Sequence, residues 1–355
     1  MNKRERNVNI DLTKCMAVLG VLSVHFFLNN QFYNTPVQGE RMYLMMAMRT
    51  ACMVCVPLFL ITTGYLMAEK SLSLRYYKGI LHSLFFYLAA SLCCMVYASR
   101  HGTSYTWHTA IQDLLDFTGA PYAWYVEMYI GLFLLIPFLN LIYRNLAGKR
   151  QKQILILTLF VLTSLSSLIN ISSYFVTTYW LHCYPWMYYF IGCYLREYPL
   201  RLKKKHLVLA AYVIWIVLCA AFNIYRSGGG KYEWGMYADW YGFENVISTI
   251  LLFIWLQSLS LERLPAILKK GMACVSRLSL GIYLLSWIFD QQFYPILNER
   301  VPMMTGRLPY FLVIVPAVFV CSFLGAWLLD GLYRVCQFFF GKIFQKIRIV
   351  RGEKM

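Results

Sequence analysis

The sequence predicts an all-α integral membrane protein, one bundle of about ten transmembrane helices with the N and C termini cytoplasmic. Of the 355 residues, 59% are hydrophobic and only 14% are charged, and the mean hydropathy is +0.53. Soluble domains are roughly 45–50% apolar and about 25% charged, so this composition excludes a soluble enzyme. The apolar residues form long runs, and the basic residues lie mainly in the short loops between those runs.

The apolar runs are long enough to cross, or nearly cross, about 30 Å of hydrocarbon at about 1.5 Å per residue. The shortest runs need tilt or burial inside the bundle to complete a span. The cores of the predicted spans are 12–28, 43–67, 80–98, 124–143, 154–169, 180–195, 207–224, 246–261, 273–289 and 310–333.

Basic residues divide unevenly between the two sides of the predicted bundle. When the loops are assigned alternately, 26 of the 33 Lys and Arg residues fall on the side that holds both termini. The positive-inside rule places that side in the cytoplasm. The net charge of +17 therefore reflects topology, and we predict no nucleic-acid partner. We expect residues 1–335 to form one domain in the plasma membrane and residues 336–355 to form a basic cytoplasmic tail.

Cysteine and glycine motifs give weak signals. Most of the 11 cysteines lie within predicted spans, where they serve as packing residues. Cys52 and Cys55 form a C-x-x-C pair, but the sequence supplies no further pair that would complete a zinc site. The chain also lacks the glycine-rich loops that bind nucleotide phosphates. We therefore predict no metal cofactor and no ATP hydrolysis.

The first span carries three ionisable side chains, Asp11, Lys14 and His25. An ionisable group inside the membrane costs a few kcal/mol and is a functional candidate. Helical geometry places Lys14 and His25 on one stripe, about 16 Å apart, with Lys14 at the cytoplasmic end. Lys14 is either a snorkelling residue or a ligand contact. His25 is either a hydrogen-bonded buried imidazole or a group that transfers protons near neutral pH.

Further polar residues lie at the same outer depth as His25. Arg49 is near the outer start of the second span, Trp124 and Glu127 open the fourth, and Asp290 ends the ninth. Each is either an interfacial residue or part of a structural pair. Together with His25 they would form a polar chamber that opens outward.

Loops on both sides carry candidate binding residues. The outer loops 99–123 and 225–245 combine aromatic and acidic residues, which hold sugar rings but also serve as interfacial anchors. On the inner side, Arg75 and Lys78 lie three residues apart after the second span. Two cations with this spacing can bind one polyanion, although a basic loop after a span is also an ordinary topology signal.

In order and spacing, these residues resemble the membrane acyltransferase family 3, ten-span O-acyltransferases that modify cell-envelope sugars and related acceptors. The family's opening acid, base and histidine are matched by Asp11, Lys14 and His25, with Lys in place of the usual Arg. The segment VPLFLITTGYLM is similar to the family's V-P-L-F-F-x-x-S-G-Y-L, and the R-x-x-R that follows is matched by Arg75 and Lys78.

The later motifs resemble the family with departures. Trp124 to Pro137 keeps the family's Trp-to-Pro interval, but Tyr129 stands where many members have Glu, and Glu127 lies two residues earlier. This pattern is closer to the subgroup that includes the enterobacterial common antigen acetyltransferases. SLGIYLLSW is similar to the family's G-I-Y-L-x-H, with Ser286 in place of the His.

The resemblance implies transfer of an acyl group, usually acetyl, from cytoplasmic acyl-CoA to a hydroxyl of an envelope glycan or its lipid-linked precursor. His25 would be the general base, which typically contributes about 10²–10⁴-fold in rate. Lys14, Arg75 and Lys78 would meet the phosphates of acetyl-CoA. The remaining site residues follow: Glu127 as a second catalytic residue, and Arg49, Trp124 and Asp290 as acceptor-binding residues, with Glu127 or Asp290 orienting the imidazole.

Two other classes of protein remain compatible with the residues. A transporter or flippase of a lipid-linked sugar or small polar solute also needs intramembrane charges, although the paired broken helices common in transporters are not evident. A sensor or assembly partner without catalytic activity would not bind acyl-CoA. For each class we expect membrane lipids as partners, and a homo-oligomer is compatible with the sequence.

Overall fold

A computed structural model describes residues 6–170, 174–200 and 203–350, with side chains described up to residue 338. Its regular structure is helical, which confirms the predicted all-α class. The only β pairing in these residues is an isolated bridge between Pro36 and Lys231. The helices are α1 (Val8–Asn29), α2 (Glu40–Cys52), α3 (Cys55–Met67), α4 (Leu74–Tyr77), α5 (Ile80–Arg100), α6 (Trp107–Leu115), α7 (Trp124–Asn145), α8 (Gly148–Thr163), α9 (Leu165–Ile169), α10 (Tyr184–Glu197), α11 (Lys205–Ser227), α12 (Phe243–Gln257), α13 (Ala266–Arg300) and α14 (Phe311–Val350).

Within the described ranges, seven helical stretches are long and apolar enough to cross a membrane, and each coincides with a predicted span. These stretches are Val8–Asn29, Glu40–Met67, Leu74–Arg100, Trp124–Asn145, Lys205–Ser227, Ala266–Arg300 and Met304–Phe338.

The other three predicted spans, 154–169, 180–195 and 246–261, correspond to shorter helices. Helices α8, α10 and α12 contain 16, 14 and 15 residues. At about 1.5 Å per residue, each falls short of about 30 Å of hydrocarbon. Ten spans and two cytoplasmic termini therefore stay predictions, as does the boundary between membrane domain and tail. Residues 351–355 of that tail and residues 1–5 lie outside the described ranges.

Helix α1 is the central helix of the bundle. It packs against α2, α3, α12, α13 and α14, and 78% of its most apolar stretch is buried. Its polar side chains therefore face other helices instead of lipid. In particular, Asp11 and His25 are buried inside the protein.

Helices α3 and α10 cross at two glycines whose lack of a side chain lets the backbones touch. A Cβ atom at Gly64 would lie 1.9 Å from the carbonyl oxygen of Tyr189, and one at Gly192 would lie 2.1 Å from that of Ile61. Close crossings at small residues are typical of membrane helices. Gly64 belongs to the TTGYL segment of the sequence, so this motif is explained by packing.

Pro137 positions the short helix α4. A proline inside a helix gives no N–H to the carbonyl four residues earlier, which in α7 belongs to Phe133. The hydroxyl of Tyr76 donates to this carbonyl at 2.5 Å, and the two rings stack with centroids 4.4 Å apart. This contact fixes the segment that carries Arg75 and Lys78, whose own side chains are exposed.

Candidate active site

His25 and Asp290 meet in the interior of the bundle, where α1 packs along α13. The Nδ1 atom of His25 lies 3.4 Å from Oδ2 of Asp290, and the two side chains are 9% and 1% exposed. A carboxylate that faces Nδ1 orients the imidazole and favours the tautomer in which Nε2 can accept a proton. Among the described residues, Nε2 has no hydrogen-bond partner of its own.

Three polar side chains complete the surroundings of this pair. The hydroxyl of Tyr122 donates to Oδ2 of Asp290 at 2.9 Å, and the amide of Asn29 donates to the Tyr122 hydroxyl at 3.1 Å. The Tyr122 ring lies over the imidazole of His25, with centroids 3.9 Å apart. Oγ of Ser286, which stands where the family carries a histidine, is 3.5 Å from Nδ1 of His25. Oδ1 of Asp290 is buried without a partner among the described residues.

A cavity of about 810 Å³ lies next to this pair, on the side that carries most of the basic residues. Helices α1, α3, α5, α7, α10 and α13 contribute its walls. The volume is typical of sites for small-molecule ligands, roughly 300–1,000 Å³. Four cations and one carboxylate line the cavity, namely Arg6, Lys14, Arg196, Arg277 and Asp11. This excess of positive charge favours an anionic ligand.

The acid and base of the first span have different roles in the cavity wall. Asp11 accepts two hydrogen bonds from the guanidinium of Arg6, at 2.6 and 2.9 Å. Lys14 also lines the cavity, but its ammonium has no hydrogen bond or ion pair within the described part of the chain. A cation without a fixed partner that faces a cavity is available to a ligand, so Lys14 is the wall's most available cation.

Two further cations of the wall were not identified from the sequence. Arg196 donates to Glu69 at 2.6 Å and to the carbonyl of Tyr65 at 2.8 Å. Arg277 lies 3.3 Å from the carboxylate of Asp330, which also pairs with Arg334. Because one carboxylate is shared by two guanidinium groups, the charge of Arg277 is only partly compensated.

The cavity ends one helical turn short of His25. Val21 is the last residue of α1 in its lining, and His25 itself does not line it. Tyr283 lines the end of the cavity, and its ring centroid is 6.1 Å from that of His25. Its hydroxyl donates a hydrogen bond to the carbonyl of Tyr122. Tyr283 therefore separates the cavity from the imidazole.

The structure brings Asp290 to His25 but not the other outer candidates. Glu127 is exposed on α7. Trp124, which is 39% exposed, stacks on Trp240 with centroids 6.0 Å apart. Arg49 is fully buried among aromatic rings. Within the described residues, none of these three side chains contacts His25.

Arg75 and Lys78 flank the cavity without lining it. Tyr76, which lies between them, packs on Phe133, one turn of α7 away from the cavity residue Tyr129. The two cations are therefore carried by a helix that packs on α7, and their own side chains are exposed.

Sequence reasoning missed several residues of the site. Tyr122 was noted only as an aromatic residue of the outer loop 99–123, and its contact with His25 and Asp290 was not predicted. Tyr283 is one of 28 tyrosines, and nothing in its spacing marks it. Arg196 and Arg277 lie in α10 and α13, but in the sequence they belong to basic stretches at the ends of predicted spans, which are ordinary topology signals. One feature of the sequence could have pointed to Arg277. It lies just before the SLGIYLLSW segment, and Asp290 lies just after it, on the same helix.

Comparison with known protein families identifies the family of the chain. The model of an acyltransferase domain matches residues 7–327. Curated proteins and solved structures give no match. The closer relation to the enterobacterial common antigen subgroup stays a prediction. The family match extends over most of the chain, from the start of α1 into α14, and the chain belongs to acyltransferase family 3, a family of membrane acyltransferases.

Proposed function

We propose that the protein is a plasma-membrane O-acyltransferase that moves an acetyl group from cytoplasmic acetyl-CoA to a hydroxyl of a cell-envelope carbohydrate. The observation that carries this proposal is the buried pair of His25 and Asp290 next to the end of a cation-lined cavity. A base needs such an orienting partner, and an acyl-CoA needs such a cationic cavity.

The cations of the cavity support an acyl-CoA donor. Phosphate groups bind Lys and Arg through charge-assisted hydrogen bonds. Lys14 and Arg277 face the space and would hold these phosphates, while Arg75 and Lys78 would bind the part of the donor that remains outside. The pantetheine arm would run along α1 from Lys14 towards Val21. That path covers about two turns of helix, or about 11 Å.

The chemistry follows from the orientation of the imidazole. Nε2 of His25 takes the proton of the acceptor hydroxyl, and the resulting oxygen nucleophile attacks the thioester carbonyl. The C–O bond forms and the C–S bond breaks, and the departing sulfur receives the proton from the imidazolium. Asp290 stabilises the imidazolium while it exists, because it is a fixed anion 3.4 Å from Nδ1.

Access to the imidazole comes from two directions in this mechanism. The thioester approaches from the cavity, which requires the ring of Tyr283 to turn aside. The acceptor approaches from the opposite side, where Trp124, Glu127 and Arg49 lie near the outer ends of their helices. Because His25 lies between these two sides, the donor and acceptor need not share one entrance.

The test of this function follows label from radioactive acetyl-CoA into envelope polymers. Membranes that contain the wild-type protein are compared with membranes that contain His25→Ala or the control His101→Ala, whose exposed imidazole bonds only the carbonyl of Tyr97 among the described residues. We expect incorporation to fall to background in His25→Ala and to remain normal in His101→Ala. Full incorporation by His25→Ala would exclude the mechanism. Solute transport by the purified protein without acetyl-CoA would favour a transporter.

A further inference from the structure

Arg49 is a buried cation that makes no direct ion pair among the described residues. Its side chain is 0% exposed, and no carboxylate in the described ranges lies within ion-pair distance. The guanidinium donates to the hydroxyls of Tyr232 at 3.0 Å and Tyr33 at 3.3 Å. Its Nη2 atom is buried with no partner among the described residues. Glu244 and Asp239 act on Arg49 only at longer range. A buried charged group without a direct partner is costly, so Nη2 can still bind an anion.

The carboxylates nearest to Arg49 are occupied elsewhere. Asp239 accepts a hydrogen bond from the backbone N–H of Trp240 at 2.6 Å, and burial raises the pKa of this carboxyl. Glu244 accepts from the amide of Asn223 at 3.0 and 3.2 Å. Neither carboxylate therefore satisfies Nη2 of Arg49.

The ring of Trp234 covers the guanidinium of Arg49, and we call this ring the aromatic cover. Trp234 lies 4.6 Å from Cζ of Arg49, ring centroid to atom, and is itself 37% exposed. Its loop begins at Gly228 and Gly229, which both have positive φ, 53° and 78°. Gly228 is the C-cap of α11, and glycine adopts these angles without steric cost. A movement of Trp234 would expose Arg49 to the outer side.

A row of aromatic rings continues from this cover towards the catalytic histidine. Trp234 contacts Trp240 at 5.7 Å, and Trp240 stacks on Trp124 at 6.0 Å. The row goes on through Tyr125 to Tyr283, with centroids 6.1 and 6.2 Å apart along the way. The three tryptophans are each partly or fully exposed. One face of Trp234 packs on Tyr33 at 5.6 Å and the faces of Trp240 and Trp124 pack on each other. A sugar ring would stack on the parts of these rings that remain exposed.

From these observations we infer that the outer surface formed by Trp234, Trp240 and Trp124, together with Arg49 beneath Trp234, binds an anionic saccharide. Its sugar rings stack on the tryptophans, and its carboxylate or phosphate group reaches Nη2 of Arg49. The inference rests on the proposed function, since the saccharide is the acceptor whose hydroxyl is directed along the aromatic row to His25.

Binding of matched sugars without acetyl-CoA tests this site directly. Purified protein in nanodiscs is titrated calorimetrically with methyl glucuronide, glucose 1-phosphate and the neutral methyl glucoside. We expect at least one anionic sugar to bind about tenfold more tightly than the neutral one, equivalent to about 1.4 kcal/mol, because a charge-assisted hydrogen bond is stronger than a neutral one. The carboxylate and phosphate arms show which anionic group is preferred.

Two variants and one control identify the cation. Arg49→Gln should abolish the preference for the anionic sugar, whereas Arg226→Gln should retain it. Arg226 is a suitable control because it also contacts an aromatic ring, that of Tyr237 at 5.4 Å, but is exposed. Trp234→Leu leaves Arg49 in place and should weaken binding of all three sugars. Unchanged acetyl-CoA binding shows that each variant is folded.

Three outcomes would overturn the inference: equal affinity for neutral and anionic sugars, a preference that survives Arg49→Gln, or no binding of any sugar by the wild type. These outcomes are independent of acyl transfer, because no donor is present. If a neutral glycan is acetylated normally and no anionic preference exists, the proposed function stands and this inference fails.

Discussion

The ring of Tyr283 lies at the end of the cation-lined cavity, and its centroid is 6.1 Å from that of the His25 imidazole. Tyr283 lines the cavity, and its hydroxyl bonds the backbone of Tyr122, whose own hydroxyl bonds Asp290. Tyr122 thus connects Tyr283, at the end of the cavity, to Asp290, the carboxylate beside His25. If His25 is the base of the proposed reaction, the ring of Tyr283 is placed to keep water in the cavity away from it.

Removing the ring of Tyr283 should uncouple hydrolysis of acetyl-CoA from transfer to the acceptor. We expect Tyr283→Ala to raise acceptor-independent hydrolysis of acetyl-CoA roughly tenfold, because exclusion of water is what prevents this side reaction. Release of free thiol from acetyl-CoA measures it. Tyr87→Ala is the control, since Tyr87 is also buried and also donates to a backbone carbonyl, that of Leu114 at 2.7 Å, but does not line the cavity. Equal hydrolysis in both variants would contradict a barrier role.

Replacing the orienting carboxylate should slow the chemistry without weakening donor binding. Asp290→Asn keeps the shape of the side chain but removes the anion beside Nδ1 of His25, and we expect kcat to fall roughly 100-fold. The KM for acetyl-CoA should not change, because Asp290 does not line the cavity. Asp116→Asn, on an exposed residue after α6, is the control. An increased KM with normal kcat would place Asp290 in donor binding instead.

Arg277 and Arg334 form a natural pair for testing the donor site. Both contact Asp330, but only Arg277 lines the cavity. We expect Arg277→Ala to raise the KM for acetyl-CoA about fivefold, equivalent to about 1 kcal/mol for a partly exposed charge contact, with Arg334→Ala near wild type. The effect should shrink at high salt. Equal effects of the two variants would indicate that Arg277 acts only by holding α13 to α14.

Arg75 provides a second comparison. The family resemblance assigns Arg75 to the donor phosphates, whereas the cavity is lined by Arg277 and not by Arg75. The exposed position of Arg75 outside the wall predicts a smaller increase in KM for Arg75→Ala than for Arg277→Ala. The same kinetic assay measures both variants. A larger effect at Arg75 would show that the donor's phosphates lie outside the cavity.

The glycine crossing of α3 and α10 should be intolerant of any side chain. Gly64→Ala would place a Cβ atom 1.9 Å from a backbone oxygen, so the helices must separate. Overpacking typically costs about 1–3 kcal/mol, and we expect a clearly lower melting temperature in detergent. Gly131→Ala on α7 is the control, because its Cβ would meet nothing within 4 Å. An unchanged melting temperature for Gly64→Ala would contradict the close crossing.

The sequence predicted the helical class and the seven longest spans because hydrophobic runs report them directly. Helices α8, α10 and α12 are shorter than a bilayer is thick. Whether these three helices also cross the membrane stays a prediction; the apolar residues of α10, for example, pack on α3, α7 and α8 inside the protein. Apolar residues are favoured both in the protein interior and in lipid, so hydropathy alone does not distinguish a buried helix from a transmembrane one.

The sequence predicted the depth of two site residues in the membrane but not their contact. Position along a helix gives depth, so His25 and Asp290 could be placed at one level from the sequence. Their contact joins residues 265 positions apart and depends on how α1 packs against α13. Tyr122, Tyr283 and Arg277 enter the site through the same packing, and a single sequence carries no pattern that reports it.

The most direct test of the central claim measures acetyl-CoA binding and acetyl transfer on the same purified preparations of wild type and His25→Ala. If His25 withdraws the proton of the acceptor, His25→Ala binds acetyl-CoA with wild-type affinity, while transfer falls about 10²–10⁴-fold. Transfer by His25→Ala within a few-fold of the wild-type rate would contradict the claim.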